Sequence, residues 1–563
     1  MSTDKYVFDK SENEQHMSNT PYENKIWNYI PDLNAGQYQN NALSLCQIDL
    51  GSIYNSKYWN CPEDAFIAVP IVMVYALSNT VTQVAPAAAG NGCASAVLSM
   101  KAGYYQLVDK IELELDGKVI EQMNPFANVI TGFKMLSQMS VSDLQQVGSQ
   151  IGLPCLDSYN SMKYTATTGM QNNFIFGNSL QANASAPLNT GCTNDRLTKT
   201  IQRIGFNTAT GNANNFDLLT SQTQQDTEGR ASFRILATNY GVYYDTAIIR
   251  IKDLLDSFNN MPLTRKMQGA LRIYFNTGSC SVKNATAGGL IGPLSTAFSQ
   301  ASSTFSTTCP FTINQSAQVV STAATAFTDI NAGLFIARAP TTSLANGINL
   351  GASGAVHPTL NGVRLYYSQV ELKPQRALEY VSANRAKKIT YNSYLTTVIN
   401  NINASSSYSS IIQSGITNIK GVVIVPLISS SVLTYNQYVS PVDTCPGTFA
   451  PLSLNQVNLQ IGGTNVLNIP LYYSFETFAE QIVSWENIIT DFSLPVGLMS
   501  ADYWQNNRVY YIDASRQGLA DQNTPRNVVL QFTNNNLVAI DLLVFTIRGE
   551  EFTLDVETGA ISK

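Results

Sequence analysis

The run Gly421-Val-Val-Ile-Val-Pro-Leu-Ile428 is apolar throughout and is interrupted by a single proline. It has a counterpart early in the chain at Ala65–Leu77, where Pro70 occupies the same place. A short run that is apolar on both faces is typical of a strand buried inside a sandwich. A proline within it requires a bulge or an edge position, because proline lacks the N–H that a ladder needs. The sequence therefore predicts the same buried strand twice.

The segments that follow the two buried strands also correspond. In each half an alternating strand runs into a glycine turn and is followed by an amphipathic helix. Asp116-Gly117 is the strongest hairpin signal in the chain, since this dipeptide suits a two-residue turn. The order predicts tandem antiparallel β-sandwiches. The corresponding segments are Ile111–Leu115 with Lys118–Gln122 and Phe126–Met139 in the first half, and Gln456–Ile461 with Gly462-Gly463 and Phe475–Ile489 in the second.

Composition shifts divide the chain into three parts. Residues 1–40 lack periodicity and are interpreted as an N-terminal arm or a peripheral extended strand. The first domain is predicted at 41–375 and the second at 376–563, with the boundary in the charged segment Gln375–Lys388. Two stretches rich in small polar residues, about 165–226 and 279–356, are predicted to be long loop insertions in the first domain.

The scarcity of charge indicates self-association. Only 13% of the 563 residues are charged, from 33 Lys and Arg plus 39 Asp and Glu. A globule of 61.4 kDa exposes roughly 20,000 Å², so even with every charge outside there is about one per 270 Å². The surface of a dispersed monomer normally carries a higher density of charged residues. We infer that much of the surface is covered by copies of the same chain.

Several classes of protein are disfavoured by the same composition. A net charge of −6 and the absence of a basic arm argue against nucleic-acid binding, which requires clustered Lys and Arg. The start of the chain has no secretory pattern, and the longest apolar run is too short to span a bilayer, so we expect a soluble intracellular product. Eight cysteines without a CxxC pair are expected to be buried, reduced thiols.

Catalytic and metal-binding side chains are sparse, and we predict no catalytic residue, metal ligand or cofactor. His16 and His357 are the two histidines, and both are interpreted as exposed bystanders. Glu112 and Glu114 share one strand face and could form a glycosidase pair, but alternation with leucine favours a solvated face. A weak calcium candidate near the C-terminus is better explained as an exposed hairpin; it comprises Glu550, Glu551, Asp555 and Glu557.

The chain resembles the double jelly-roll major capsid proteins of virophages and polinton-like viruses, within the adenovirus and tectivirus capsid lineage. The resemblance lies in patterns of strand and turn rather than in a catalytic signature. The matching segments are Tyr29–Gly36 through Val69–Met73 and Phe126–Met139, then Gly421–Ile428 with Gln456–Glu480, and finally Arg508–Arg516, Ala539–Phe545 and Thr553–Gly559.

The resemblance implies a mainly β fold of two tandem antiparallel eight-stranded jelly rolls, with short inserted helices and long polar loops. It also implies a homotrimeric, pseudo-hexagonal capsomer that tiles an icosahedral shell, acts without a cofactor and resides in the virion after assembly in the host cell. Neighbouring trimers, penton proteins and minor capsid proteins are the expected partners. Direct sequence-specific binding of nucleic acid is not expected, and contact with an internal membrane stays open.

Two other functions stay open. A β-rich viral or cell-surface adhesin would share the polar loops and low charge, and would bind a glycan or a host protein without forming a lattice. A polysaccharide-active enzyme would depend on two carboxylates, whereas capsid assembly should tolerate Glu112→Gln. The internal repetition of the strand pattern favours the capsid subunit, and we expect no enzymatic activity.

Overall fold

The structure is a computed structural model, and the account below concerns the residues that it describes. These are 22–34, 36–39, 43–54, 56–77, 96–101, 103–148, 150–153, 224–225, 232–237, 240–284, 298–315, 329–340, 356–433, 437–439, 441, 452–467, 472–482, 496–515 and 524–563.

The strands of the first half alternate with inserted segments. They are β1 Tyr22–Pro31, β2 Leu43–Asp49, β3 Trp59–Leu77, β4 Ala96–Met100, β5 Val108–Leu115, β6 Lys118–Met123, β7 Gln224–Gln225, β8 Ser232–Ala237, β9 Tyr240–Arg250, β10 Gly269–Asn276, β11 Gly278–Asn284, β12 Phe298–Ser303, β13 Phe311–Gln315, β14 Asp329–Ile336 and β15 Arg364–Leu372.

The second half has shorter connections. Its strands are β16 Lys387–Ile402, β17 Ser407–Ile416, β18 Ile419–Ile428, β19 Leu454–Ile461, β20 Thr464–Asn465, β21 Tyr510–Asp513, β22 Arg526–Asn534, β23 Ile540–Leu554 and β24 Ile561–Ser562. The α-helices within the described ranges are α1 Gly51–Tyr54, α2 Ala127–Gln138, α3 Val141–Val147, α4 Ile251–Leu254, α5 Asp256–Asn260, α6 Pro374–Asn384, α7 Ser430–Leu433, α8 Phe475–Ile482 and α9 Ala501–Asn506.

Eight principal strands of the first half form a jelly roll, which we call roll 1. In chain order they are β1, β2, β3, β5, β6, β9, β10 and β15. The first pairs with the eighth, the second with the seventh, the third with the sixth and the fourth with the fifth, all antiparallel. The resulting sheets have the orders β1-β15-β3-β9 and β2-β10-β5-β6. Such nested pairs, divided between two packed sheets, define the jelly roll.

Strands β16 to β23 repeat this arrangement, with no inserted strand in the part of this half that the structure describes, and we call them roll 2. The same four pairs occur, β16 with β23, β17 with β22, β18 with β21 and β19 with β20. The sheet orders are β16-β23-β18-β21 and β17-β22-β19-β20. The buried strands with proline are the third strand of each roll, and α2 and α8 both follow the fifth strand. The prediction of a mainly β fold with two tandem antiparallel jelly rolls is confirmed.

Local chemistry explains the turn and the prolines. Asp116 and Gly117 both have positive φ, 49° and 70°, as a two-residue type I′ hairpin requires. Pro70 lies where β3 changes partner on one side, because pairing with β15 ends at Ala68 and pairing with β14 begins at Ile71. Pro426 lies beyond the end of β21, whose pairing with β18 stops at Ile424. Each proline therefore occupies a position where one neighbouring ladder is interrupted.

Two sequence interpretations of the first domain change. Residues 1–21 lie outside the described residues, but Tyr22–Pro31 forms β1, so roll 1 begins before residue 41. The segment 279–356 is not simply a polar loop, because its described part contains strands, and β14 and β11 extend the sheet beyond β3. Small polar residues pair here through their backbones, while widely spaced Phe311 and Leu334 are buried. The segment 165–226 lies outside the described residues except for β7.

Candidate assembly interface

The two rolls meet edge to edge, and this internal junction is the best-defined interface of the chain. Strand β6, the fifth of roll 1, lies parallel to β16, the first of roll 2, with Met123 opposite Tyr394. The Tyr391 hydroxyl donates to the carbonyl of Ile120 at 2.6 Å. The Tyr394 hydroxyl donates to Oδ2 of Asp256 at 3.2 Å. Tyrosine suits such a contact because it combines apolar area with a hydrogen-bonding tip.

Helix α2 adds an aromatic layer to the junction. Phe126, immediately before α2, is 8% exposed and lies 5.4 Å from the ring of Tyr438, centroid to centroid. Phe133 on α2 lies 6.3 Å from Tyr511 of β21. These contacts join the two rolls into one hydrophobic core. The chain can therefore be treated as two similar modules fixed side by side.

A buried charged cluster lies beside the same junction. The Glu121 carboxylate on β6 is 1% exposed and accepts hydrogen bonds from the backbone N–H groups of Asp256 and Ser257, at 2.9 and 2.8 Å. Lys134 of α2 forms an ion pair with Asp256. Burial, with a smaller contribution from the charge of Asp256, raises the pKa of Glu121 to about 8. Its proton therefore stabilises the junction.

The strands on the side of each roll away from the junction pair on one side only among the described residues. In roll 1 this edge is β1, which pairs with β15 on one side. In roll 2 it is β20, which pairs with β19 on one side. A free edge presents unpaired N–H and C=O groups to another chain. Each roll thus has one edge strand in the internal junction, and β1 and β20 are among the edge strands that pair on one side only, together with β2, β17 and β21.

The open edge of roll 1 carries an exposed aromatic face. Trp27 and Tyr29 are each 53% exposed and project from the same side of β1. Trp27 lies 5.9 Å from Phe66, Tyr29 lies 5.7 Å from Tyr366, and Phe66 stacks on Tyr366 at 5.1 Å. The Arg364 guanidinium lies 4.8 Å from the centre of the Tyr29 ring. Rigid aromatic groups with an arginine are enriched in protein interfaces.

Roll 2 carries a second exposed aromatic residue next to α8. Tyr472, just before α8, is 82% exposed. Glu476 and Glu480 follow it at helical spacing and are also exposed. The first part of α8 and the residues before it therefore expose an aromatic ring and two carboxylates.

The structure overturns the interpretation of one histidine. His16 lies outside the described residues. His357, expected to be an exposed bystander, is 2% exposed. Its Nε2 lies 3.0 Å from the carbonyl of Asp245, and Nδ1 accepts hydrogen bonds from the backbone N–H groups of Thr359 and Leu360. Burial lowers the pKa of His357, so the ring is a neutral structural element. The Gly-rich sequence around His357 does not indicate these hydrogen-bond partners.

The carboxylates considered above as a glycosidase pair or as a calcium site take part in ion pairs and in a turn. Arg272 of β10 contacts both Glu112 and Glu114 at 2.7 Å, as expected for a paired strand face. Glu550 contacts Lys563 at 3.0 Å, while Asp555 accepts backbone hydrogen bonds in a turn. Within the described part of the chain, no group of three His, Cys, Asp or Glu could hold a metal ion.

The described cysteines are buried thiols, and the described helices are short. Cys46, Cys61, Cys280 and Cys309 are buried and free of disulfides, as predicted; the other four lie outside the described residues. None of the helices in the described ranges is long and apolar enough to cross a membrane.

The residues of the roll junction were not identified from the sequence. Tyr391, Tyr394 and Glu121 lie in strands whose patterns predicted their conformation but not their neighbours across 130 or more positions. Strict alternation in Lys118-Val-Ile-Glu-Gln122 would place Glu121 on the face of Val119, which is 43% exposed, whereas a register shift in the hairpin leaves Glu121 buried. Nothing local could show that α5 would supply the N–H groups that bind its carboxylate.

A comparison with solved structures finds similar chains at low sequence identity. It is similar to the mavirus major capsid protein, with 10% identity and a TM-score of 0.44 over 99% of this chain and 94% of that one. It is also similar to the Faustovirus major capsid protein, with 10% identity and a TM-score of 0.40 over 94% and 90% of the respective chains. No protein-family model matches the chain. No curated protein matches it in sequence.

Proposed function

We propose that the chain is a viral major capsid protein that assembles as a homotrimer. The observation that supports this most directly is the presence of two jelly rolls with the same strand order, held side by side in one chain. Three such chains would place six similar rolls around a ring and give a pseudo-hexagonal building block. Blocks of this shape can tile an icosahedral shell, and jelly rolls are a recurrent capsid architecture.

The low charge and the rigid junction fit this function. Only 13% of residues are charged, which suits a surface covered by neighbouring copies. Two rolls that share a core present a fixed geometry, and repeated assembly depends on fixed geometry. In this proposal the protein resides in the virion and has a structural rather than an enzymatic role. Penton and minor capsid proteins would complete the shell.

The solution mass of the purified chain tests the proposal. We expect a species of three times 61.4 kDa, about 184 kDa, by light scattering, with a pseudo-hexagonal outline by electron microscopy of the same peak. A stable 61.4 kDa monomer would contradict the proposal and favour an adhesin or an enzyme. Genome contact is assigned to other proteins, so strong, salt-sensitive binding of DNA to the purified chain would also count against this account.

A further inference from the structure

Two buried cysteines lie side by side among the inserted strands of the first half. Cys280 belongs to β11, and Cys309 lies two residues before β13. Both side chains are buried, and both are free of disulfides. A side-chain hydrogen bond joins the two thiol groups. The chain therefore holds two reduced sulfur atoms in contact.

Backbone hydrogen bonds fix the position of both residues. Cys280 pairs with Ser303 of β12 and with Ala332 of β14. The N–H of Cys309 donates to the carbonyl of Tyr438 at 2.8 Å. Because both backbones are held, the two sulfur atoms stay in contact while the protein is folded. A disulfide requires an S–S separation of about 2.05 Å, so bond formation needs only a small approach of groups that already touch.

The charges around the pair make the two thiols unequal. Lys101 is buried, and its backbone N–H donates to the carbonyl of Pro310, the residue after Cys309, at 2.9 Å. Burial, and then the hydrogen bond to Cys309, raises the pKa of Cys280. Burial also opposes ionisation of Cys309, but the hydrogen bond from Cys280 and the charge of Lys101 hold its pKa below the usual value. Cys309 is therefore the nucleophile, and Cys280 is the thiol that donates to it.

We propose that Cys280 and Cys309 are a peroxide-reactive pair that forms a reversible disulfide between β11 and the segment before β13. The Cys309 thiolate attacks one oxygen of hydrogen peroxide, so an S–O bond forms and the O–O bond breaks. The hydroxide that leaves takes up the proton that Cys309 released. The Cys280 sulfur then attacks the sulfenic acid on Cys309, the S–S bond forms, and the oxygen leaves with the Cys280 proton as water. The two sulfur atoms lose two electrons, and these reduce one peroxide to two molecules of water.

The bond would change the inserted strands from a reduced to a cross-linked form. Glutathione keeps such thiols reduced inside a cell, so the bond would form only after the chain meets an oxidising medium. It would close a loop of about 30 residues, and cross-links of this kind restrict the unfolded chain. For a chain of 563 residues, the expected rise in melting temperature is about 3 °C.

Peptide mapping of the full wild-type chain tests the bond directly. The protein is treated with hydrogen peroxide, unfolded in an alkylating reagent and digested for mass spectrometry. We expect a peptide pair linked through Cys280 and Cys309, lighter by two hydrogen atoms than the two thiol peptides together, and its loss after treatment with dithiothreitol. Alkylated thiols at both positions, a sulfinic or sulfonic acid at Cys309, or a link from either residue to another cysteine would overturn the proposal.

Serine variants test the order of the two steps. Cys280→Ser should leave Cys309 as a sulfenic acid that dimedone traps, whereas Cys309→Ser should leave Cys280 unoxidised. Cys46→Ser is the matched control, because Cys46 is also buried and free, and it should form the disulfide in wild-type yield. Equal trapping of sulfenic acid in the first two variants would refute the assignment of the nucleophile. The mapping of the wild type needs no variant, so it decides the proposal even where a serine variant does not fold.

Thermal unfolding measures the effect of the bond on stability. The oxidised wild type should melt about 3 °C above the reduced protein, and dithiothreitol should remove the difference. Cys46→Ser should show the same rise, and Cys280→Ser should show none. Equal melting temperatures of oxidised and reduced wild type would refute a stabilising link. The inference does not rest on the trimer, because a monomeric chain that forms this disulfide would support it while contradicting the proposed function.

Discussion

Replacing Glu121 by glutamine should remove much of the pH dependence of folding stability. Burial raises the pKa of Glu121 from 4.5 to about 8, so the folded protein retains a proton that the unfolded chain releases. The stability from this proton is fully present below pH 4.5 and is lost as the pH rises through about 8. The groups that face the carboxylate are Asp256, Lys134 and the N–H of Ser257.

The magnitude follows from the difference between the two pKa values. Each pH unit within this window costs about 1.4 kcal/mol, so the wild type should lose about 3 kcal/mol between pH 5 and 7. The total loss approaches about 5 kcal/mol above pH 8. Glutamine has no proton to release and can still accept one of the two backbone hydrogen bonds. The variant should therefore be the more stable protein at pH 9.

Urea unfolding at pH 5, 7 and 9, followed by tryptophan fluorescence, measures this effect. The control is Glu114→Gln, which removes a carboxylate from the solvent-facing pair with Arg272 and should keep the wild-type pH profile. Parallel profiles for wild type and Glu121→Gln from pH 5 to 9 would show that folding does not raise the pKa of Glu121.

Three further predictions follow from other parts of the structure. Phe126→Ala should lower unfolding stability by about 3–5 kcal/mol, because it leaves a cavity beside Tyr438; a loss below 1 kcal/mol in chemical denaturation would contradict the packing. The His357 imidazole should titrate below pH 6.5 in an NMR titration, so its contribution to stability, present above pH 6.5, is lost on acidification; a titration above pH 6.5 would argue against a buried neutral ring. Gly117→Val should cost about 1–2 kcal/mol by thermal unfolding, since φ is 70° there; an unchanged melting temperature would refute the turn geometry.

The features of the fold that can be predicted from the sequence are those determined by residues close together along the chain. Asp116-Gly117 specifies its own turn, and the proline-bearing runs specify buried strands, so the duplicated order emerged from local patterns. Strand β1 is harder to predict, because its solvent-facing residues include Trp27 and Tyr29. These aromatic side chains obscure the alternation of polar and apolar residues. The strands within 279–356 were missed because they pair through backbone groups while carrying small polar side chains.

The residues of the candidate interface could not be predicted from local sequence patterns. It depends on which strand edges remain unpaired, and that follows from the complete topology. His357 is an example on a smaller scale: its three partners come from Asp245 and from a turn, and burial is decided by strands more than 100 residues away. Residue type alone therefore suggested exposure where the fold provides a closed polar site.

The closure of roll 1 by its first and last strands has a consequence for synthesis on the ribosome. The Asn28 side chain donates to Gln369, 341 positions later, so β1 must wait for β15. At about 5–20 residues per second, that wait lasts about 17 to 70 s. During this interval Trp27 and Tyr29 belong to a strand that lacks its partner β15. A strand that is made long before β15 is thus among the last to gain its partner, and we expect it to depend most on chaperones during translation.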